Sequence, residues 1–346
     1  MFLLEYRPIE FPVRLKVLIE LEYIRLKINF RDKFEPGEMK VWSVNDSFSL
    51  KRPVATIGIF DGVHMGHRFI LDHLKVQAEA YGGETVVVTL WPHPRIVLNK
   101  ELHEFKLLHT RQEKIREMEG YGIDHLVVVP FDSEIASLTA CDFIQEYLVD
   151  MLGVEVLLLG YDNRFGKDRK GDPEGLLMCA EKNRFRIEKL PEYHSEYGTV
   201  SSSTIRGSIL KGDLESAGKM LGYHYYLSGT IVEGNHFGRK MGFPTANIHP
   251  LDPNKLIPMN GVYAIHAELR GETYKGMLNI GFRPTIDSAM AVKTIEAHLF
   301  GAMGDFYEEE VVIHFVKRVR DEMKFSGLDA LKQQLQKDKE TIQLLL

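Results

Sequence analysis

The chain has 346 residues, of which 44% are hydrophobic and 27% charged, and its formal net charge at pH 7 is -6. This length and apolar content are sufficient for two ordinary domains with separate cores. The negative charge argues against a general nucleic-acid binder, and no apolar run approaches membrane-spanning length. The two cysteines, Cys141 and Cys179, predict neither a disulfide framework nor a metal cluster, which is typical of the reducing cytoplasm.

Residues 1–38 form an N-terminal segment without a secretory pattern, because charged residues interrupt each apolar stretch. Residues 15–30 alternate as in a strand. Met39 follows a Glu-Pro-Gly sequence at 35–37, and the chain from there leads directly to the first nucleotide-site strand. We expect Met39 to be the native start and the preceding residues to be an upstream extension or a loosely attached appendage.

The stretch 54–67 predicts a buried strand, a glycine-containing turn and the start of a helix. Residues 54–59 are apolar with several β-branched side chains, and from Arg68 apolar residues recur at helical spacing. The turn therefore lies at a helix N-terminus, where unpaired backbone N–H groups and the helix dipole attract anions. The sequence predicts a phosphate site at this turn.

Two glycines and two histidines in the turn fit that prediction. Gly62 and Gly66 allow a phosphate close to the backbone, and His64 and His67 can donate hydrogen bonds to phosphate oxygens during transfer at the α-phosphorus. The alternative is an ordinary tight turn with two solvated histidines, but the complete strand-turn-helix pattern favours the phosphate site. Residues 58–67 resemble the H-x-G-H signature of the cytidylyl- and adenylyltransferase superfamily, which implies a reaction class and leaves the substrate open.

Four apolar runs, at 54–59, 85–90, 126–129 and 156–159, lack a polar face and alternate with helical stretches up to about residue 221. Such runs are typical of buried parallel strands, so the sequence predicts a doubly wound, Rossmann-like α/β domain. Ligands in such a domain bind at the carboxyl ends of the strands.

Polar segments follow two of these strands and precede a later helix. The Pro-His-Pro sequence at 92–94 is stiffened by its prolines, and a rigid turn without function is an equally good interpretation. The loop 160–172 mixes glycines, an aromatic residue and basic residues; its position favours ligand contact over the alternative of a solvated loop. At 201–204 hydroxyl groups can cap a helix, and Arg206 on its first turn can clamp a phosphate with two hydrogen bonds.

These segments together resemble the adenylyltransferase module of bacterial bifunctional riboflavin kinase/FAD synthetases. The motifs are 58–67, 92–94, 160–166 and 202–206, in the order and spacing of that family. The resemblance implies catalytic roles for His64, His67 and Arg206. It implies ATP or phosphate contacts by Gly58, Phe60, Asp61, Gly62, Gly66, Ser202, Ser203 and Thr204. It implies nucleotide or flavin contacts by Pro92, His93, Pro94, Asp162 and Phe165.

From about residue 223 the sequence changes to alternating strands separated by Gly, Pro and Asn turns, which predicts an antiparallel all-β unit. Residues 238–247 end in Pro-Thr-Ala-Asn and resemble the flavokinase signature. Hairpin turns alone could explain the glycines, but Thr245 and Asn247 share one face of an extended strand, and their oxygens suit Mg²⁺ and nucleotide phosphates. The resemblance implies ATP or phosphate contacts by Gly238, Gly242, Thr245 and Asn247, the last two also as metal ligands.

Two later segments, 276–285 and 294–300, also resemble the kinase module. Glu296 is the acid in an otherwise apolar strand, and a lone strand carboxylate usually faces water. The resemblance implies instead that Glu296 is the general base for the ribityl 5′-hydroxyl, and that Asn279 and Arg283 contact the flavin. Apolar residues at 328, 331, 335 and 342 predict a C-terminal helix packed on a β-barrel.

The interpretation is a bifunctional flavin enzyme with an extension at 1–38, an FMN adenylyltransferase domain at 39–221 and a riboflavin kinase domain at 222–346. The kinase would convert riboflavin and ATP to FMN and ADP. The adenylyltransferase would convert FMN and a second ATP to FAD and pyrophosphate, with Mg²⁺ needed at both sites. The expected partners are these small molecules, without nucleic acid or membrane, and the oligomeric state stays open.

Two other function classes remain open at this point. One is a related nucleotidyltransferase, such as a cytidylyl- or pantetheine-phosphate adenylyltransferase, with an unrelated β domain, which leaves the Pro-Thr-Ala-Asn motif unexplained. The other is a non-catalytic flavin- or nucleotide-binding regulator, against which the intact candidate site residues argue.

Overall fold

The computed structural model describes residues 39–98, 105–161, 173–183, 185–233, 238, 242–283 and 292–346. The extension at 1–38, with its predicted strand, lies outside the described residues, as do Asp162 and Phe165. In the described ranges, none of the helices is both long enough and apolar enough to cross a membrane.

The N-terminal unit is a six-stranded parallel sheet with helices on both faces. Its strands are β1 (Lys40–Ser43), β2 (Val54–Ile57), β3 (Thr85–Trp91), β4 (His125–Pro130), β5 (Val156–Leu159) and β6 (Arg186–Lys189), in the order β1-β4-β3-β2-β5-β6. Leu157 and Leu148 belong to the core on one face, and Leu71 and Leu74 belong to the core on the other. Because both faces are covered, the central strands are apolar throughout. The predicted α/β domain is confirmed.

Two details of the strand prediction are wrong. The first predicted strand, 54–59, ends at Ile57, because the chain then turns at Phe60, whose φ is +50°. The edge strands β1 and β6 were not predicted. Their charged and polar side chains are largely exposed, so neither strand has the apolar run that marks a buried strand.

Helices connect the strands. They are α1 (Met65–Tyr81), α2 (Pro94–Leu98), α3 (Arg111–Gly120), α4 (Ser133–Ser137), α5 (Ala140–Phe143), α6 (Pro173–Asn183), α7 (Ser202–Leu210) and α8 (Leu214–Leu221), with a π-helical segment, Ile144–Asp150, continuing α5. α1 begins three residues before Arg68 because the side chain of His64 caps it. α7 begins after Ser201, whose hydroxyl accepts a hydrogen bond from Thr204 N–H at 3.1 Å, as expected for a capping serine.

The C-terminal unit is a closed barrel of six antiparallel strands. They are β7 (Tyr226–Val232), β8 (Ala246–Pro250), β9 (Gly261–Leu269), β10 (Glu272–Arg283), β11 (Val292–Leu299) and β12 (Glu310–Arg320), in the order β10-β11-β8-β7-β12-β9. The final helix, α9 (Leu328–Leu345), buries Ile342 against Val262 and Met277 of the barrel. The predicted barrel and C-terminal helix are confirmed.

A continuous core and a buried ion pair join the two units. Ile205 of α7 packs in the same apolar cluster as Leu227 of the barrel. Beside it, Lys255 Nζ lies 2.6 Å from Glu113 Oε2, and both side chains are at most 1% exposed. Glu113 also accepts a hydrogen bond from Ser228 N–H at 2.8 Å. These partners satisfy the charges that burial would otherwise penalise.

Cys141 and Cys179 form a disulfide bond, so the prediction of no disulfide is wrong. The two residues are 38 apart in the sequence, and the packing of α5 against α6 brings their Cα atoms to 5.7 Å. Spacing along the chain does not reveal such a pairing. The cysteine count therefore no longer supports a reducing compartment.

Candidate active sites

The turn between β2 and α1 has a strained backbone. Phe60, Gly62 and Val63 have positive φ angles of 50°, 91° and 34°, and such angles are unfavourable for aromatic and β-branched residues. A Cβ atom on Gly62 would lie 2.7 Å from Leu108 Cδ1, so glycine is required for space as well as conformation. Strain of this kind persists where surrounding contacts impose it, commonly at functional sites.

His64 and His67 stack at the start of α1, with ring centroids 3.6 Å apart and planes 13° apart. His64 Nδ1 accepts a hydrogen bond from His67 N–H at 3.3 Å. Burial lowers the pKa of His64 to about 4 and the pKa of His67 well below 6.5, so both rings are neutral at pH 7. His64 therefore carries its proton on Nε2, where it can donate. His67 Nδ1 is buried without a hydrogen-bond partner among the described residues.

A cavity of about 1020 Å³ opens at the carboxyl ends of the parallel strands. Four predicted segments meet there: the turn, the loop after β3, the described start of the 160–172 loop at Gly160 and Tyr161, and the start of α7. Its wall includes Gly58, Phe60, Asp61, His64, Gly66, His67, His93, Pro94, Ser202, Ser203 and Arg206. Three predicted contacts, Gly62, Pro92 and Thr204, are not part of this wall. We name this space the large cavity.

Asp61 and Arg206 form a buried ion pair in the wall of the large cavity. Asp61 also accepts hydrogen bonds from the backbone N–H groups of Leu108 and His109, at 3.1 and 3.0 Å. Arg206 donates from Nε to Lys106 O at 2.7 Å. Carboxylate and phosphate repel each other, so the geometry suits Asp61 to orienting the guanidinium of Arg206.

His93 contributes a third neutral imidazole to this wall. Its Nδ1 accepts a hydrogen bond from Arg95 N–H at 3.0 Å, and its ring lies 4.6 Å from the ring of Phe105. Burial lowers the pKa of His93 to about 4. The proton of the neutral ring is then on Nε2, which can donate to a ligand. The wall thus combines hydrogen-bond donors with a buried cation.

Three polar residues of the barrel lie side by side on neighbouring strands. Asn279 of β10 is opposite Glu296 of β11, and Glu296 is opposite Asn247 of β8. Directly opposed residues of antiparallel strands share a face, so these side chains form one row. A cavity of about 270 Å³, the small cavity, borders this row. The predicted residues in its wall are Gly238, Thr245, Asn279 and Glu296, while Gly242 and Asn247 are not in the wall and the side chain of Arg283 lies outside the described residues.

The far side of the small cavity is closed by α9. Arg320 of β12 forms an ion pair with Asp338 of α9 at 2.6 Å, and both residues are in the wall. His298 also lines it and donates from Nδ1 to Pro244 O at 2.8 Å. Burial lowers the pKa of His298, and its Nε2 has no hydrogen-bond partner in the described part of the chain. A neutral His298 therefore offers an acceptor to a ligand.

Comparison with known proteins matches both units. The FAD synthetase family model matches residues 47–204, and the riboflavin kinase family model matches residues 221–346. The bifunctional riboflavin kinase/FMN adenylyltransferase of Bacillus subtilis is 36% identical over 297 residues, which cover 84% of this chain and 91% of the relative. The chain belongs to the bifunctional riboflavin kinase/FMN adenylyltransferase family. The member from Escherichia coli K12 is 35% identical over 289 residues, with 83% and 91% covered.

A solved structure extends the likeness to the arrangement of the two units. A crystal structure described as a macrolide-efflux protein from Streptococcus pneumoniae superposes with a TM-score of 0.78 at 30% identity, covering 88% of this chain and 98% of that one. The efflux role is a description of that protein only. The fold common to both includes the sheet unit and the barrel.

Membership in the riboflavin kinase/FMN adenylyltransferase family confirms the predicted enzyme class. The N-terminal unit is an FAD synthetase that adenylylates FMN, and the C-terminal unit is a riboflavin kinase. A nucleotidyltransferase with an unrelated β domain is excluded, because the barrel matches the kinase family. The relatives that match both units are enzymes, which favours catalysis over the regulator alternative.

Lys114 is a residue of the adenylyltransferase unit that the sequence did not indicate. Its Nζ donates to Ile59 O at 2.7 Å and to Thr89 Oγ1 at 3.1 Å, directly behind the strained turn. Burial lowers the pKa of Lys114 to about 8, with Asp61 acting in the opposite direction. In the sequence it follows Glu113 within a polar helix, where a lysine normally faces solvent. His298 likewise had no sequence signal beyond its place in a kinase motif.

Proposed function

We propose that the large cavity catalyses adenylyl transfer to FMN and that the small cavity catalyses phosphorylation of riboflavin. The observation that carries the first assignment is the convergence of the turn, the 92–94 loop and α7 on one wall with neutral histidines and a buried arginine. The second assignment rests on the row Asn247, Glu296 and Asn279 at the edge of the small cavity.

In adenylyl transfer, a phosphate oxygen of FMN attacks the α-phosphorus of ATP and the bond to the β-phosphate oxygen breaks. Pyrophosphate leaves, and no proton has to be removed from the nucleophile. His64, His67 and Arg206 are the proposed catalytic residues, which align the two phosphates and stabilise the charge that develops. The N-terminus of α1 adds its backbone N–H groups. Asp61 holds Arg206 in place.

In the kinase reaction, Glu296 accepts the proton of the ribityl 5′-hydroxyl as that oxygen attacks the γ-phosphorus of ATP. ADP leaves with the electrons of the broken bond. Asn279 is opposite Glu296 and lines the same cavity, which suits it to contact the flavin beside the base. Arg283 and, in the other unit, His93, Pro94, Asp162 and Phe165 are further proposed flavin contacts.

Magnesium is proposed as the metal of both reactions. In the part of the chain that the structure describes, no group of three or more His, Cys, Asp or Glu side chains is placed to hold a metal. Mg²⁺ commonly takes few protein ligands and several phosphate and water oxygens, so the Thr245 hydroxyl and the Asn247 amide fit it as hard oxygen donors. When bound, it would neutralise phosphate charge.

We further propose domain limits of 39–221 and 222–346, acting on small molecules in the cytoplasm. Gly222 supports this boundary, because its φ of 83° ends α8 immediately before the chain enters the barrel. Residues 1–38 are proposed to be an extension outside both domains.

The test is chromatography with fluorescence detection of the purified protein supplied with riboflavin, ATP and Mg²⁺. FMN should form first and FAD later. His67→Ala should abolish FAD formation and leave FMN formation nearly intact, whereas Glu296→Gln, which keeps the shape of the side chain, should block riboflavin phosphorylation and spare FAD formation from added FMN. Equal loss of both activities in either variant would contradict the assignment of separate sites.

A further inference from the structure

Four side chains donate hydrogen bonds to the backbone carbonyl groups of the strained turn. Each bond comes from a side chain outside the turn itself. The donors are Lys114 to Ile59 O, Ser202 to Asp61 O, Tyr223 to Gly62 O, and Arg68 to Val63 O. Because these contacts hold the carbonyl groups, they also fix the peptide planes of the turn that leads into α1. This is a preorganised anion site of the kind that catalysis of phosphate chemistry requires.

Tyr223 differs from the other three donors in its origin. It follows Gly222 and lies within the segment that matches the riboflavin kinase family, 221–346, yet its hydroxyl donates to Gly62 O in the adenylyltransferase turn. Gly62 has the largest positive φ in the turn, 91°. A residue of the kinase part of the chain thus bonds the residue with the largest positive φ in the adenylyltransferase turn.

The protons around Tyr223 can be assigned. A carbonyl oxygen only accepts, so the Tyr223 hydroxyl donates to Gly62 O and accepts from His109 Nε2, which lies 2.8 Å away. Burial raises the pKa of Tyr223 and lowers the pKa of His109, so both groups are neutral. The backbone N–H of His109 donates to Asp61, the partner of Arg206. His109 therefore contacts Tyr223 through its ring and the Asp61–Arg206 pair through its backbone.

We propose that Tyr223 is a positioning residue for adenylyl transfer, supplied by the kinase part of the chain, whose hydroxyl fixes the Gly62 carbonyl and with it the phosphate-binding turn. This inference rests on the proposed assignment of adenylyl transfer to the large cavity. It means that the adenylyl-transfer site is incomplete without the first residues of the kinase unit.

The test compares Tyr223→Phe with a matched control, Tyr225→Phe, in the full-length protein. Tyr225 is buried and Tyr223 partly buried, and the Tyr225 hydroxyl donates to a backbone carbonyl outside the turn, Leu256 O, at 2.6 Å. We expect Tyr223→Phe to lower kcat for FAD formation about tenfold or more, equivalent to about 1.4 kcal/mol, with a much smaller change in KM for ATP. Riboflavin phosphorylation should stay within about twofold in both variants, and Tyr225→Phe should keep FAD formation as well.

Three results would overturn the proposal: an unchanged kcat for FAD formation in Tyr223→Phe, a parallel loss of riboflavin phosphorylation, or an equal loss in Tyr225→Phe. A second pair of variants tests the hydrogen bond that the His109 ring donates to the Tyr223 hydroxyl. His109→Gln keeps a donor to the Tyr223 hydroxyl, and His109→Leu does not, so the glutamine variant should retain more of kcat. Equal kcat values for the two variants would also contradict the proposal.

Failure of this inference is distinguishable from failure of the site assignment. If the large cavity does not carry adenylyl transfer, His67→Ala leaves FAD formation unchanged. If only the role of Tyr223 is wrong, His67→Ala is inactive in FAD formation while Tyr223→Phe retains its kcat.

Discussion

Replacing Lys255 with methionine removes the cation of the buried ion pair and keeps most of the apolar volume of the side chain. Glu113 retains hydrogen bonds from the N–H groups of Thr110 and Ser228 but loses the charge 2.6 Å away, and Leu108 O loses its donor. Removing one partner of a buried pair costs about 3–5 kcal/mol, because the other charge stays buried. For 346 residues that unfold together, Tm changes by about 1.4 °C per kcal/mol, so it should fall by about 4–7 °C.

Thermal unfolding followed by circular dichroism measures this loss. The control is Arg116→Met, which breaks an ion pair with Glu268 that joins the same two units at the surface, with side chains 52% and 39% exposed. That change should cost less than about 1 kcal/mol. The double variant Glu113→Gln/Lys255→Met removes both charges of this pair and should recover about 1–3 kcal/mol relative to additivity. Equal small shifts in Lys255→Met and Arg116→Met would refute the reasoning.

Two further predictions concern the turn. Gly62→Ala should lower FAD formation at least about tenfold, because the φ of 91° at Gly62 and the contact with Leu108 exclude a side chain. The control is Gly82→Ala, where φ is 61° and the space around the residue is open. This variant should keep both activities in a product assay. Loss of FAD formation in both variants would mean that a disturbance of helix α1, and not of the turn, causes the loss. Because burial lowers the pKa of His64 from 6.5 to about 4, the unfolded chain binds more protons between these values, so the free energy of unfolding should fall as pH decreases through this window. Denaturant titrations should show a slope shallower by up to about 1.4 kcal/mol per pH unit in His64→Gln, and an unchanged slope would contradict a neutral, buried His64.

The large and small cavities share no wall residue among those described. FMN is the product of the kinase and the substrate of the adenylyltransferase, so under the proposed assignment of the cavities FMN has to leave the small cavity before adenylylation. The buried contacts between the units fix their arrangement without joining the cavities. The two reactions are therefore expected to respond separately to substitutions in either wall.

Elements whose determinants are local in sequence could be predicted. The strand-turn-helix pattern around His64 and His67 depends on neighbouring residues, as does the cap at Ser201, and both are present in the structure. An antiparallel all-β unit was predicted from the alternation and turn residues of successive strands, and the resemblance to the kinase module implied a barrel. Asn247, Asn279 and Glu296 were each identified by motif, but only the register of β8, β10 and β11 placed them in one row.

The sequence by itself determined the two units, the strand-turn-helix segment with its two histidines and the residues proposed for the chemistry, because these depend on periodicity and on short motifs. Tertiary structure alone decided that Lys114 supports the turn, that Lys255 pairs with Glu113, that Cys141 bonds Cys179, and that Tyr223 reaches Gly62. These contacts join residues 38 to 161 positions apart. Their energies come from burial and from partners that are adjacent only after folding, so no local pattern indicates them.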